Sequence, residues 1–304
     1  MDAIRLDQVT KIYASGWRRR KIVAIQDVSL VIAYGESVGF IGHNGAGKSS
    51  SIRIALGLQS PTHGSVRLQG LDPRDPSSRR RVSYVPENPL LYDYLRPDEL
   101  LRMAARMHGV PESLVEKRCG HWLERLGVAG LGRKRIRELS KGMAQRVALA
   151  QALVSEPEIL ILDEPLSGLD PLGRREVVDV LMDFRKSGKT LLFSSHILND
   201  VEQLADRCAF NHRWTIRTPE STAAILGESS ETFEVVLESA NRFPGFEPDP
   251  GGQQRGTVKS EDLAGFLAQV AASGARIVLV RSNNRLENAY LKFVALAEAK
   301  GLAE

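Results

Sequence analysis

Apolar and polar residues alternate from Ile4 to Val9, as along a strand with one buried face. Ile22–Ile32 reads as further strand, with a turn expected near Gln26–Asp27. Ser37–Ile41 is a short apolar strand that stops at Gly42. Lys48–Leu58 then spaces Ile52, Ile54, Ala55 and Leu58 as a helix does. Ser65–Leu68 and Val82–Val85 are further strands, separated by a turn segment at Gly70–Pro76. Pro97–Ala150 is mostly helical and is broken at Gly109–Pro111, Gly127–Gly132 and Ser140–Gly142. Ile159–Leu162 and Thr190–Ser194 are apolar throughout or nearly so, as buried strands are, and a helix from about Gly173 to Lys186 lies between them. Strands alternating with helices predict an α/β fold with a mostly parallel sheet.

The pattern changes near Thr218–Pro219. Phe243–Gly256, rich in Pro and Gly, reads as a loop or linker. Beyond it come a helix over Glu261–Ala272, a strand over Ala275–Val280 and a helix over Leu286–Ala299. The expected organisation is a main domain over residues 1–220, with a helical subdomain at about 90–155, and a small α/β appendage over 221–304.

Composition narrows the class. With 304 residues and 42% hydrophobic positions the chain can bury a proper core. Lys and Arg number 41 against 37 Asp and Glu, and a net charge of +4 is too small to call for nucleic acid. The two cysteines, Cys119 and Cys208, have no metal-ligand spacing and read as free thiols, which fits a reducing cytosol. MDAIRLDQV lacks the apolar core of a signal peptide. No stretch approaches the ~20 apolar residues of a membrane-spanning helix. If the chain serves a membrane, another subunit must span it.

The chemistry centres on GHNGAGKS: Gly42, His43, Asn44, Gly45, Ala46, Gly47, Lys48 and Ser49. It matches G-x-x-x-x-G-K-[ST], with a strand before it and a helix after it. The glycines let the backbone curl so that successive N–H groups point at phosphate oxygens, and the helix adds its positive dipole end. Lys48 reaches the β- and γ-phosphates of ATP. Ser49 supplies a hydroxyl suited to Mg²⁺, and Ser50 adds donors near the α- and β-phosphates. ILILDE, Ile159–Glu164, is a buried strand ending in two carboxylates. Asp163 there is suited to holding Mg²⁺ and Glu164 to activating the attacking water as general base.

With those residues LSKGMAQR, Leu139–Arg146, decides a resemblance. It is similar to the L-S-G-G-Q signature of ATP-binding-cassette (ABC) transporter nucleotide-binding subunits. Ser140 and Gly142 match, while Lys141 and Met143 depart from the commonest form. The resemblance covers roughly Asp2–Asp206. It implies the P-loop ABC-ATPase fold, with an antiparallel β subdomain and a helical signature subdomain. It implies that Tyr13 stacks on adenine, that Asp170 of SGLD lies in a loop crossing the dimer interface, and that His196 of SSHIL contacts the γ-phosphate. Where the family usually has Gln, YVPEN carries Glu87, to which the resemblance gives a metal or coupling role. LSKGM and YVPEN resemble the drug and polysaccharide export subfamily.

The function implied is an ATP hydrolase, cytoplasmic and peripheral on the inner face of the cell membrane, powering a separate multi-span permease. It would pair with a second nucleotide-binding subunit, identical or paralogous, with no nucleic acid involved. A mechanical or assembly ATPase on a membrane partner is the alternative. A soluble ABC ATPase of DNA repair or translation is less favoured, because the chain has one cassette and no long heptad coiled coil. After Asp206 the match frays into RCAFNHRWTIR, where Asn211 is the residue expected to take a positive φ. The basic clusters Trp17–Lys21, Arg79–Arg81 and Arg133–Arg135 read as solvated surface, or as contacts to lipid headgroups or acidic cargo near the membrane.

Overall fold

The computed structural model describes residues 2–15, 20–43, 45–131, 134–212, 215–217, 232–239, 241–249, 251–282 and 290. Asn44, Trp17, Arg133, Trp214, the composition shift at Thr218–Pro219 and, apart from Tyr290, the helix expected over Leu286–Ala299 lie outside them. The chain divides into two compact units, one within residues 1–221 and one within 222–299.

In the first unit β1 (Asp2–Ser15), β2 (Arg20–Ala33) and β4 (His63–Leu68) form an antiparallel sheet in the order β2-β1-β4. The turn expected near Gln26–Asp27 is instead a bulge inside a continuous strand. The β1–β2 register shifts between Leu6 and Val9, and Gln8 and Asp27 take φ of 47° and 48°. A bulge changes which residues face inward, so Leu6 and Val9 both reach the core although three positions separate them.

The second sheet runs β5 (Val82–Val85), β6 (Ile159–Leu162), β7 (Thr190–Ser195), β3 (Ser37–Ile41), β8 (Arg207–His212), β9 (Thr215–Arg217). It is parallel except for the β8–β9 pair. One core joins the sheets. Ile52, Ile54 and Ala55 of α1 (Lys48–Ala55) pack with Ile4, Leu6, Ile25 and Leu30 on one side and Val38, Phe40, Ile161 and Leu192 on the other. The opposite face of the parallel sheet carries α6 (Leu198–Leu204), close enough that a Cβ on Gly39 would lie 2.6 Å from Val201. Asn211 does not take positive φ: it stays in β8, paired with Ile216.

Three helices occupy the region between β5 and β6: α2 (Pro97–Met107), α3 (Glu112–Arg125) and α4 (Lys141–Leu153). Glu99 accepts from the Arg96 backbone N–H at 2.9 Å to start α2, and Ser140 accepts from Met143 N at 3.3 Å to start α4. α4 is tied to α5 (Pro171–Lys186) by Arg146, which donates to Glu176 at 2.7 Å and to the Leu126 carbonyl at 3.1 Å. The Arg146 side chain is largely buried, so losing its carboxylate strands a cation. Glu176→Ala is expected to destabilise the chain by about 2 kcal/mol, less than a fully buried pair because Glu176 keeps access to water. Thermal melting, with a drop of several degrees, checks this.

In the second unit an antiparallel sheet is ordered β11 (Phe246–Pro248), β12 (Gln253–Lys259), β10 (Thr232–Glu238), β13 (Arg276–Ser282). Helix α7 (Ser260–Ala272) covers a small core of Val235, Leu237, Phe243, Val258 and Val270. The segment expected to be a loop or linker, Phe243–Gly256, is thus largely the β11–β12 hairpin, and β10 is a strand the sequence pattern did not show. Arg79 donates to the Pro73 carbonyl at 2.5 Å, Arg81 pairs with Glu158, and Arg80 is exposed. Cys119 and Cys208 are buried and form no disulfide, and burial pushes the Cys119 thiol up.

Candidate active site

The ends of three neighbouring strands build the site. β3 delivers the glycine-rich loop, β6 delivers Asp163 and Glu164, and β7 delivers His196. Because β6-β7-β3 are adjacent and parallel, all three arrive at the carboxyl edge, where ligands bind in such sheets. Gly47 is the residue before α1, with φ of 102°, and a Cβ there would lie 2.3 Å from the Ala24 carbonyl oxygen. Only glycine fits that turn.

Lys48 is buried at the start of α1. Its ammonium donates to the Gly42 carbonyl at 2.5 Å and to the His43 carbonyl at 3.4 Å. It also lies 3.1 Å from Glu164 Oε1, an ion-pair contact whose angles fall outside those of a hydrogen bond, which leaves that oxygen without a hydrogen-bond partner. Glu164 is 7% exposed. Its φ of 49° is a left-handed conformation that costs a non-glycine residue energy and that clusters at functional sites. Its other oxygen, Oε2, lies 2.8 Å from His196 Nδ1. Lysine, carboxylate and imidazole therefore form one contiguous group.

Ser194 holds this group in place, and the sequence pattern did not single it out. Its hydroxyl donates to Asp163 Oδ1 at 2.7 Å and accepts from the Glu164 backbone N–H at 2.8 Å. The only sequence signal is its place two residues before His196. Asp200 does similar work for the His196 loop: it accepts from Ser195 Oγ at 3.3 Å and pairs with Arg174. Burial pushes the Asp200 carboxyl up, and Arg174 opposes that without cancelling it.

Tyr13 stands beside α1. Its hydroxyl donates to Gln59 Oε1 at 2.5 Å and lies 3.4 Å from Ser50 Oγ, while the Lys11 ammonium lies 5.2 Å from the ring centre. Ser49 and Ser50 are half-buried on the first turn, Gly42 and Ala46 are buried, and His43 and Gly45 are exposed. Ser140 and Asp170 are elsewhere. Ser140 caps α4, and Asp170 caps α5 by accepting from Gly173 N at 3.0 Å. Among the described residues no hydrogen bond or ion pair joins either one to Lys48, Asp163, Glu164 or His196. Gly142 packs on the loop before Asp170, where its Cβ would lie 3.0 Å from the Gly168 carbonyl. Glu87 is exposed on the loop after β5. No three His, Cys, Asp or Glu side chains among the described residues gather as a metal site.

The comparisons agree with this geometry. Residues 25–167 match the family model described as ABC transporter. An uncharacterized ABC transporter ATP-binding protein of Nostoc sp. is 37% identical over 300 residues, covering 95% of this chain and 88% of its own. The chain belongs to the ABC transporter ATP-binding proteins. Nod factor export ATP-binding protein I of Cupriavidus pinatubonensis is 36% identical over 190 residues, 60% of this chain and 57% of its own. The solved ATP-binding subunit of an ABC transporter superposes with a TM-score of 0.67 at 30% identity, over 74% of this chain and 92% of that one. A dimeric ATP-binding cassette in a post-hydrolysis state, bound to ADP and Pi, superposes with a TM-score of 0.65 at 25% identity, over 71% and 97%. This ABC protein is an ATPase of the α/β ABC-ATPase fold, and ATP is its nucleotide. Among its described residues no helix is long and apolar enough to cross a membrane.

Proposed function

We propose that this ABC ATPase is one half of a two-site motor that couples Mg-ATP hydrolysis to a separate multi-span permease, exporting cargo from the inner face of the cell membrane. The observation that carries the reading is the division of the site. Lys48, Glu164 and His196 form one group, whereas Ser140, among the described residues, hydrogen-bonds only within its own helix start and is exposed. An exposed helix N-terminus capped by an exposed serine suits an anion held by another molecule. Head-to-tail pairing of two copies brings Ser140 and Gly142 of one against the γ-phosphate held by the Gly42–Ser49 loop of the other. Asp170 then lies near the interface.

The residues fit Mg²⁺. Asp163 is buried, with Oδ1 fixed by Ser194, and Ser49 offers a half-buried hydroxyl on the first turn of α1. Ser49 and Asp163 would hold the ion, with phosphate oxygens and water completing its shell. The ion supplies charge neutralisation at the β- and γ-phosphates. Around it Lys48 binds the phosphates, Tyr13 faces the adenine, and Glu164 takes the proton of the attacking water. His196 orients Glu164 and reaches the γ-phosphate.

Support for a permease partner comes from the surface beside Glu87. A groove of about 560 Å³ is lined by Tyr84, Pro86, Pro89, Leu90 and Leu91 on one side and by His108 and Ala148 on the other. Leu90 is fully exposed, and Tyr92, Tyr94 and Met107 are more than half exposed. Such a patch suits a partner's apolar segment. Support for export comes from relatives named for Nod factor export and lantibiotic transport.

Subunit mixing tests the composite site. Lys48→Ala and Ser140→Ala are each expected to be inactive. A mixed dimer of the two carries one doubly damaged site and one intact site. Mixing them is expected to restore about a quarter of the parent rate, since half of randomly paired symmetric dimers then hold one good site of two. If both variants are folded and mixing restores nothing, the composite site between identical subunits is wrong.

A further inference from the structure

Asp200 is a carboxylate placed where water scarcely reaches: it is 3% exposed, near the start of α6. Its two oxygens serve different elements. Oδ1 accepts from the Arg174 guanidinium of α5. Oδ2 lies 3.3 Å from Ser195 Oγ, at the end of β7. Burying a carboxylate costs free energy, and an ion pair in the interior is often no more stabilising than apolar residues of similar volume. Stability alone therefore does not account for the pair.

Ser195 and Ile197 flank His196, and Asp200 is tied to both. Ser195 Oγ accepts from the Ile197 N–H at 2.9 Å, and its own proton faces the Ile197 carbonyl at 3.2 Å as well as Asp200. The Asp200 N–H donates to that same Ile197 carbonyl at 3.2 Å. The backbone on either side of His196 is thus held from one acidic residue. The imidazole itself is exposed and lies 2.8 Å from Glu164 Oε2, so its aim depends on that backbone. The far end of the anchor is a helix turn. The Arg174 N–H donates to the Asp170 carbonyl at 2.8 Å, and Asp170 caps the turn by accepting from Gly173 N at 3.0 Å.

We propose that Arg174 is a positioning residue for His196, acting through Asp200 from the helix turn that Asp170 caps. Without the guanidinium, Asp200 is free to leave Ser195, and the turn that aims the imidazole at Glu164 loosens. Because Asp170 and Arg174 share one turn, the aim of His196 is also set from the loop proposed to lie near the subunit interface. This inference rests on the reading of His196 as the group that orients Glu164.

A double-mutant cycle on turnover tests the route, because a residue that acts through another has no effect once that other is gone. Single turnovers of Mg-ATP with the full chain in excess keep slow variants measurable. Arg174→Met, which keeps much of the side chain's length but not its charge, is expected to cut turnover by about 10–100-fold, within what a misplacement of about 1 Å can remove. Its Mg-ATP affinity by calorimetry is expected to match the parent. In a His196→Ala background the same substitution is expected to change turnover by less than about twofold. A merely structural role predicts equal losses in both backgrounds. Arg174→Met also strands a buried carboxylate, and adding Asp200→Asn removes that charge, so the double variant is expected to regain melting temperature while turnover stays low. If Arg174→Met does not fold, this double variant takes its place in the cycle. Parent-like turnover in either folded variant, or equal losses with and without His196, overturns the proposal. Parent-like turnover in His196→Ala instead overturns the reading of His196 itself.

Discussion

Glu164→Gln is expected to lower ATP turnover by about 10²–10⁴-fold, the usual contribution of a positioned general base, with Mg-ATP still bound. Glutamine keeps the volume but takes no proton from water. The surroundings make this a clean change. The Glu164 backbone is pinned by Ser194 and held at φ of 49°, so the substituted side chain leaves from the same point. His196 Nδ1, now 2.8 Å from Oε2, can still pair with the amide oxygen as a donor. Lys48 keeps the Gly42 carbonyl. Removing the negative charge beside Lys48 also leaves the ammonium freer to engage phosphate, so Mg-ATP affinity is expected to hold or rise, and a nucleotide-dependent dimer to persist. Steady-state phosphate release and calorimetry read the two halves separately. A variant that hydrolyses ATP at the parent rate removes Glu164 from the role of base.

The parts of this molecule that were legible in the sequence are those whose chemistry is local. Gly42–Ser49 is a contiguous loop in which Gly47 admits no side chain and Lys48 opens a helix, so strand, loop and helix appear as a single string. Ile159–Leu162 is apolar at every position because both faces of β6 are covered, and the acids follow at its end. What escaped notice joins residues distant in the chain. Ser194 clamps Asp163 across the β6–β7 ladder, yet a serine in an apolar strand carries no signal of its partner. The β1–β2 bulges came through as a turn because Asp27 at positive φ has turn chemistry while the ladder continues on either side. Phe243–Gly256 misled for a similar reason. Pro248 lies on the edge strand β11, where no donor is needed, and Gly256 is small because a Cβ would lie 2.5 Å from the Phe246 ring. Proline and glycine there serve a sheet, although their density reads as a loop. Asn211 was expected at a turn for lack of glycine nearby, and its buried place against Gly42 follows only from the parallel β3–β8 register.

Lys48→Ala is expected to weaken Mg-ATP binding by about 10–100-fold, because hydrogen bonds to a charged group contribute about 1.5–3 kcal/mol. The structure adds a second consequence. Lys48 and Glu164 are both buried and lie 3.1 Å apart, so removing the cation leaves a carboxylate with little access to water. Breaking a buried pair on one side costs about 3 kcal/mol at the low end, and His196 against Oε2 keeps the cost there. Lys48→Ala should therefore melt several degrees below the parent in the absence of nucleotide. Affinity and stability come apart in the double variant. Lys48→Ala with Glu164→Gln removes the stranded charge, so the melting temperature should recover most of the loss while Mg-ATP binding stays weak, a non-additive pair in stability alone. If the double variant also regains affinity, the single variant's weakness came from the damaged fold and Lys48 does not hold phosphate. If Lys48→Ala binds Mg-ATP as the parent does, the loop at Gly42–Ser49 is not the nucleotide site.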